Sequence, residues 1–133
     1  MRTVEQIELA DATAAVAAAK AEATSNGWAV SVAVTDAGGH LLAYERMDGA
    51  AASSGEIACE KARTSSIFRA PTGGLEDKIK DRLAILSLPN GMPMRGGIPI
   101  VVNGTVVGAV GVSGLAPHQD DQVATAAVAM LSA

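Results

Sequence analysis

The chain has 133 residues, enough for one domain; 49% of them are hydrophobic, largely Ala and Val, 2% are aromatic, and the net charge is −4. With no Lys/Arg cluster and no stacking set of aromatics, a nucleic-acid surface is excluded. The single Cys59 excludes an internal disulfide and a one-chain thiolate zinc site, and no metal site is expected.

Residues 3–26 have helical spacing at Val4, Ile7, Ala14 and Ala18, with Thr3 and Gln6 placed as a capping box and Asn26-Gly27 as the stop. Residues 28–35 alternate Trp28, Val30, Val32 and Val34 with Ala29, Ser31, Ala33 and Thr35, the pattern of a strand with one large and one small face. The turn Asp36–Gly39 returns the chain as a second strand over Leu41 to Met47. A second helix runs from about Ser53 to Arg69, ends at Pro71–Gly74, and is followed by a short third helix from Leu75 to Leu86 with Ile79, Leu83 and Leu86 on one side. After a loop over 88–97, two strands (98–102 and 106–112) flank Asn103-Gly104, the strongest hairpin signal in the chain. Pro117 opens the last helix, with Asp120 and Asp121 in its first turn.

The order is α-β-β-α-α-β-β-α, an α+β class with strands paired antiparallel inside each hairpin. A mean hydropathy of +0.27 on so small a chain implies apolar area set against another subunit. No apolar run approaches a membrane span, and none of signal-peptide type follows Met1, so no membrane partner and a cytoplasmic location are expected.

Several polar groups could carry chemistry. Arg46 and Asp48 point to one side of the second strand, where they either orient Arg46 towards an anion or fix the strand end. Lys61, if it faces the sheet, needs a partner such as Asp48 or a ligand carboxylate. Glu56, Glu60 and Thr64 follow one another at single-turn spacing along the same helix, as a solvated face would. Gly96-Gly97 offer backbone N–H groups to an anion or simply a bend. Ala109, Gly111 and Ser113 make one strand face very small, for a close helix or for a ligand. Gly108, Gly111 and Gly114 lie in or at the end of a strand rather than at a strand-to-helix turn, so they fail the context of a phosphate loop. His40 sits in a turn and His118 at a helix start.

Five ordered stretches together resemble the GlcG/HbpS family, the haem-degrading domain family that includes the C-terminal domain of PduO-type adenosyltransferases. They are VTDAGGHLLAYERMDGA (34–50), IACEKART (57–64), GGIPI (96–100), VGAVGVSG (107–114) and QDDQVA (119–124). The resemblance implies a profilin-like fold with about five antiparallel strands, the fifth within 88–97, and a homo-oligomer: a dimer, tetramer or octamer. It also implies haem as ligand, held by a carrier, sensor or degrader. Some haem-binding relatives use a first-helix histidine. Residues 3–26 hold none, which leaves His40 as axial ligand, with Cys59 and Met47 behind it.

Two alternatives stand beside haem. One is an enzyme or binding protein for a small organic acid, using Arg46, Lys61, Thr64, Ser113 and the Gly96-Gly97 backbone, with Asp48 or Lys61 catalytic. The other is an oligomeric scaffold with no ligand of its own.

Overall fold

A computed structural model describes residues 1–132. The elements are α1 (Leu9–Ser25), β1 (Ser31–Asp36), β2 (Leu41–Arg46), α2 (Ser54–Phe68), α3 (Thr72–Lys78), a 3-10 turn at Leu83–Ser87, β3 (Gly97–Val102), β4 (Thr105–Ser113) and α4 (Pro117–Ala129). The four strands form one antiparallel sheet in the order β2-β1-β4-β3. The two hairpins therefore join through their β1 and β4 strands. A fifth strand in 88–97 is not there. That stretch is instead pinned to α2, with Thr64 Oγ1 donating to Asn90 O at 2.7 Å and accepting from Met92 N at 2.9 Å.

The alternation read in β1 decides the layers. Val30, Val32 and Val34, with Val110 and Val112, face α1 and α4 and make the main core with Ala12, Ala15, Val16 and Ala19. The other face is nearly without side chains. Ala33 and Gly111 lie under Ala58 and Ala62 of α2, so the helix backbone rides directly on the sheet. What polar groups this face holds are paired: Thr35 Oγ1 meets Ser66 Oγ at 2.7 Å, and Ser31 Oγ meets Ser54 Oγ at 2.8 Å. The small β4 face thus serves close helix packing.

Two helix boundaries differ from expectation. The first helix starts at Leu9 and not Thr3, because Ile7 is drawn into the core beside Gly108 and Glu8 N–H donates to Asp11 Oδ2 at 2.8 Å in place of the Thr3 cap. The third helix occupies 72–78 and gives way to the 3-10 turn, with Ile85 as its inward residue while Leu83 and Leu86 point out. Thr72 starts α3 early because its Oγ1 accepts from Gly97 N at 2.9 Å, fastening the helix start to β3. Asn103 and Gly104 both take positive φ, 50° and 75°, as a two-residue primed turn requires.

Among the described residues, no helix is long and apolar enough to cross a membrane, and no group of three or more His, Cys, Asp or Glu could hold a metal ion.

Candidate functional site

The structure divides the sequence-derived candidates into two places, on opposite flanks of α2. Lys61, Thr64, Gly96 and Gly97 come together on the β3–β4 side, and all four side chains or backbone groups are already engaged. Lys61 is 2% exposed, and its Nζ donates to Val112 O at 2.9 Å and to Asp120 Oδ2 at 3.0 Å. Its partner is thus Asp120, 59 positions later, and not Asp48. Asp120 Oδ1 also accepts from Leu115 N at 3.1 Å. Burial pushes the Asp120 carboxyl up, against the opposing pull of Lys61. The Gly96 and Gly97 N–H groups do meet acceptors, but these belong to the chain: Asp121 Oδ1 at 2.8 Å and Thr72 Oγ1 at 2.9 Å. Ser113 is buried opposite Ser31 at the end of β4.

Beside this pair, Arg95 reaches Glu76, Asp77 (Nη2–Oδ2 3.0 Å) and Asp121 (Nε–Oδ2 3.6 Å), tying α3 and α4 to the loop before β3. Hydrogen bonds from Arg95 hold the Asp77 carboxyl below its usual range. A lowered carboxyl supports the folded state above its unfolded pKa and withdraws that support as pH falls through the lowered value. Arg95→Met is therefore expected to flatten the acid side of the stability profile below about pH 4, read from thermal melts. An unchanged acid slope would show that the ion cluster contributes nothing to folding.

The remaining candidates lie towards the β2 edge. Arg46 ends β2 opposite Ser31, and Arg46 and Asp48 are both exposed, with no side-chain partner among the described residues. They do not approach Lys61, whose amine sits beyond β1 against the β4 backbone. Met47 packs with the Val core on the other face of the sheet.

Between β2 and α2 runs an open cleft. One part, about 560 Å³, is lined by Tyr44, Ala52, Gly55, Glu56, Cys59 and Glu60. The adjoining part, about 300 Å³, shares Cys59 and Glu60 and continues to His40, Leu41 and Arg63. β2 is an edge strand, so Tyr44 and Leu41 are not covered by a further strand. The Tyr44 ring leans on Gly55, where a Cβ would stand 2.5 Å from the phenol oxygen. His40 is 82% exposed on its side chain, and its Nδ1 lies 3.3 Å from Asp36 Oδ1. Asp36 itself shapes the turn by accepting from Gly38 N at 2.9 Å and His40 N at 3.0 Å. The Nδ1–Asp36 approach is a proximity and not a hydrogen bond, so it leaves this exposed imidazole free to turn. Burial, then Glu60 and Glu56, push the Cys59 thiol up, so near neutral pH it stays protonated and is a poor ligand or nucleophile.

The donor types here are ones a haem can use: the His40 imidazole and Arg63 guanidinium line the smaller part and the Tyr44 phenol the larger, the two parts meeting at Cys59 and Glu60. Another hollow, of about 600 Å³, lies between the N-terminal segment and the β3–β4 turn, lined by Arg2, Asn103 and Thr105 among others, and it has no His, Cys, Met or Tyr.

Sequence reasoning missed Asp120 as the partner of Lys61, and missed Arg95, Tyr44 and Arg63 altogether. One signal was present for the first: Lys61 shares a helix face with Ala58, Ala62 and Ser65, all buried, so its charge had to meet a distant anion.

The comparisons agree with the fold. E. coli (strain K12) Protein GlcG is 47% identical over 103 residues, 77% of each chain. A crystal structure of a Streptomyces reticuli HbpS double mutant superposes with a TM-score of 0.92 at 33% identity, covering 100% of this chain and 92% of that one. The crystal structure of a PduOC:heme complex superposes with a TM-score of 0.85 at 26% identity over 94% of each chain. Residues 7–129 match the family model described as "Haem degrading protein HbpS-like". The chain belongs to the HbpS-like family of haem degrading proteins.

Proposed function

We propose that this chain binds haem in the α2–β2 cleft, with His40 Nε2 as axial ligand and Arg63 as the partner of a propionate carboxylate. The observation that supports this is the α2–β2 cleft, with His40 and Arg63 lining its smaller part and Tyr44 the adjoining part. The family description and the haem found in a structural relative support the same ligand class. A bound haem would supply iron chemistry at this cleft, with His40 as the residue that would hold it. The chain's own part is to present Nε2, to lay Leu41 and Tyr44 along the ring, and to neutralise a carboxylate. The organic-acid alternative has no comparable support, because Arg46 and Asp48 lie apart from Lys61 and Lys61 is already paired.

Titration of the purified protein with hemin is expected to give a saturable Soret band. His40→Ala should weaken binding by about tenfold or more, which is about 1.4 kcal/mol, and shift the band. The same band position and affinity in His40→Ala would remove His40 from the site. A linear, non-saturating response in the parent protein would remove haem.

A further inference from the structure

Arg69 holds a backbone conformation that its residue type does not favour. Directly after α2 it takes φ 56°, in the left-handed region. Among the described residues the other non-glycine positions with positive φ are Asn90 and Asn103, and Asn visits that region readily. Glycine is the usual residue where a helix ends this way. An arginine there costs backbone strain, and such strain collects at functional positions. Part of its side chain has a structural use: Nη1 donates to Ala37 O in the β1–β2 turn and to Ser66 O at 2.8 Å. Those two bonds hold the guanidinium in place. Its Nε and Nη2 have no protein partner among the described residues.

Arg69 borders the hollow of about 600 Å³ between the N-terminal segment and the β3–β4 turn. Arg2 lines the same hollow. Glu5 is the one acid in that lining, and its Oε1 already accepts from Asn103 Nδ2 at 2.7 Å. Two guanidinium groups against one carboxylate leave the lining at +1, in a chain of net charge −4. Thr3 and Thr105 add hydroxyl groups. A volume of this size suits a small molecule. Planar guanidinium forks suit the paired oxygens of a phosphate or a carboxylate.

We propose that this hollow binds a small molecule through an oxyanion group, a phosphate or a carboxylate, held between the guanidinium groups of Arg69 and Arg2. Arg69 is the fixed half of the grip, because its Nη1 bonds orient the fork before any ligand arrives. Arg2 supplies the second fork from the segment ahead of α1, and the Thr105 hydroxyl a further donor. The site is independent of the haem reading, since no residue lines both this hollow and the α2–β2 cleft.

Calorimetric titration with inorganic phosphate and, separately, with citrate tests this, at constant ionic strength set by sodium chloride. Saturable binding of at least one is expected. Phosphate alone would assign a phosphoryl group to the ligand, citrate alone a carboxylate. Arg69→Gly suits the left-handed backbone and should weaken the anion about tenfold or more. Arg69→Lys keeps the charge without the fork and should recover only part of that loss. Arg2→Gln should weaken binding as well, whereas Lys78→Gln, an exposed cation outside the lining, should not. A purely structural Arg69 would lower the melting temperature of Arg69→Gly and leave the titration as in the parent. That result would overturn the proposal, as would an equal loss in Lys78→Gln. Failure of both anions to saturate the parent protein would overturn it too.

Discussion

Lys61→Ala is expected to cost about 3–5 kcal/mol of folding stability, the range for breaking a buried ion pair from one side. The loss comes less from the missing attraction than from what stays behind. Asp120 would keep a buried carboxylate with only the Leu115 N–H to hold it, and Val112 O would lose its buried donor. Against a total stability of about 5–15 kcal/mol for a domain of this size, the variant would be marginal. Urea unfolding measures the deficit directly. Two controls identify the cause. Lys61→Met combined with Asp120→Leu replaces the pair by apolar groups of similar volume, and should recover most of the loss. The Lys61→Ala deficit should also shrink in acid. Burial already raises the Asp120 carboxyl, and removing Lys61 takes away the charge that opposes that rise. A raised carboxyl supports the fold while protonated, below its unfolded pKa, and that support is lost as pH rises through its folded value. The deficit should therefore be smaller at pH 4 than at pH 8. Equal losses in the single and the double variant would show that the stranded Asp120 carboxylate is not the cause, because the double variant removes that charge and refills the space of the lysine stem.

The second large effect is expected at Gly111→Ala, a loss of about 3 kcal/mol or more, beyond the usual cost of one added methyl in a packed core. A Cβ there would stand 2.1 Å from Ala58 O and 2.4 Å from Ala62 N. Both are backbone atoms of α2, so no side chain can rotate away; the helix must lift from β4. Lifting it would also strain the Thr35–Ser66 and Ser31–Ser54 hydroxyl pairs, which hold the same helix to β1. Thermal denaturation should show the loss. Gly74→Ala is the control, since a Cβ there meets nothing within 4 Å. If both changes behave alike, the contact between α2 and β4 is looser than these distances state.

The hairpins, α2 and the α+β class were legible because their signals are local. Alternation along 28–35 separated the two faces of β1, and Asn103-Gly104 supplied the two positive φ angles of the β3–β4 turn. The first-helix boundary was misplaced because the Thr3–Gln6 cap is weaker than the pull of Ile7 into the core. The third helix was misread because Ile79, Leu83 and Leu86 have helical spacing, although only Ile85 of the following turn is drawn inward. In both places tertiary burial overrode a correct local pattern.

By itself the sequence determined which residues face which side of the sheet, where the hairpins turn, and that Lys61 would need an anionic partner if it faced the sheet. Those features depend on neighbours a few positions away, and the period of the backbone reads them out. Only the tertiary structure decided that Asp120 is that anion, that Asp121 and Thr72 take up the Gly96 and Gly97 N–H groups, and that Arg46 stands apart from Lys61. It also decided that His40, Tyr44 and Arg63 border one cleft. The physical reason is strand order. β2 was placed at an outer edge when β1 paired with β4, and nothing in the spacing of either hairpin fixes how two hairpins join.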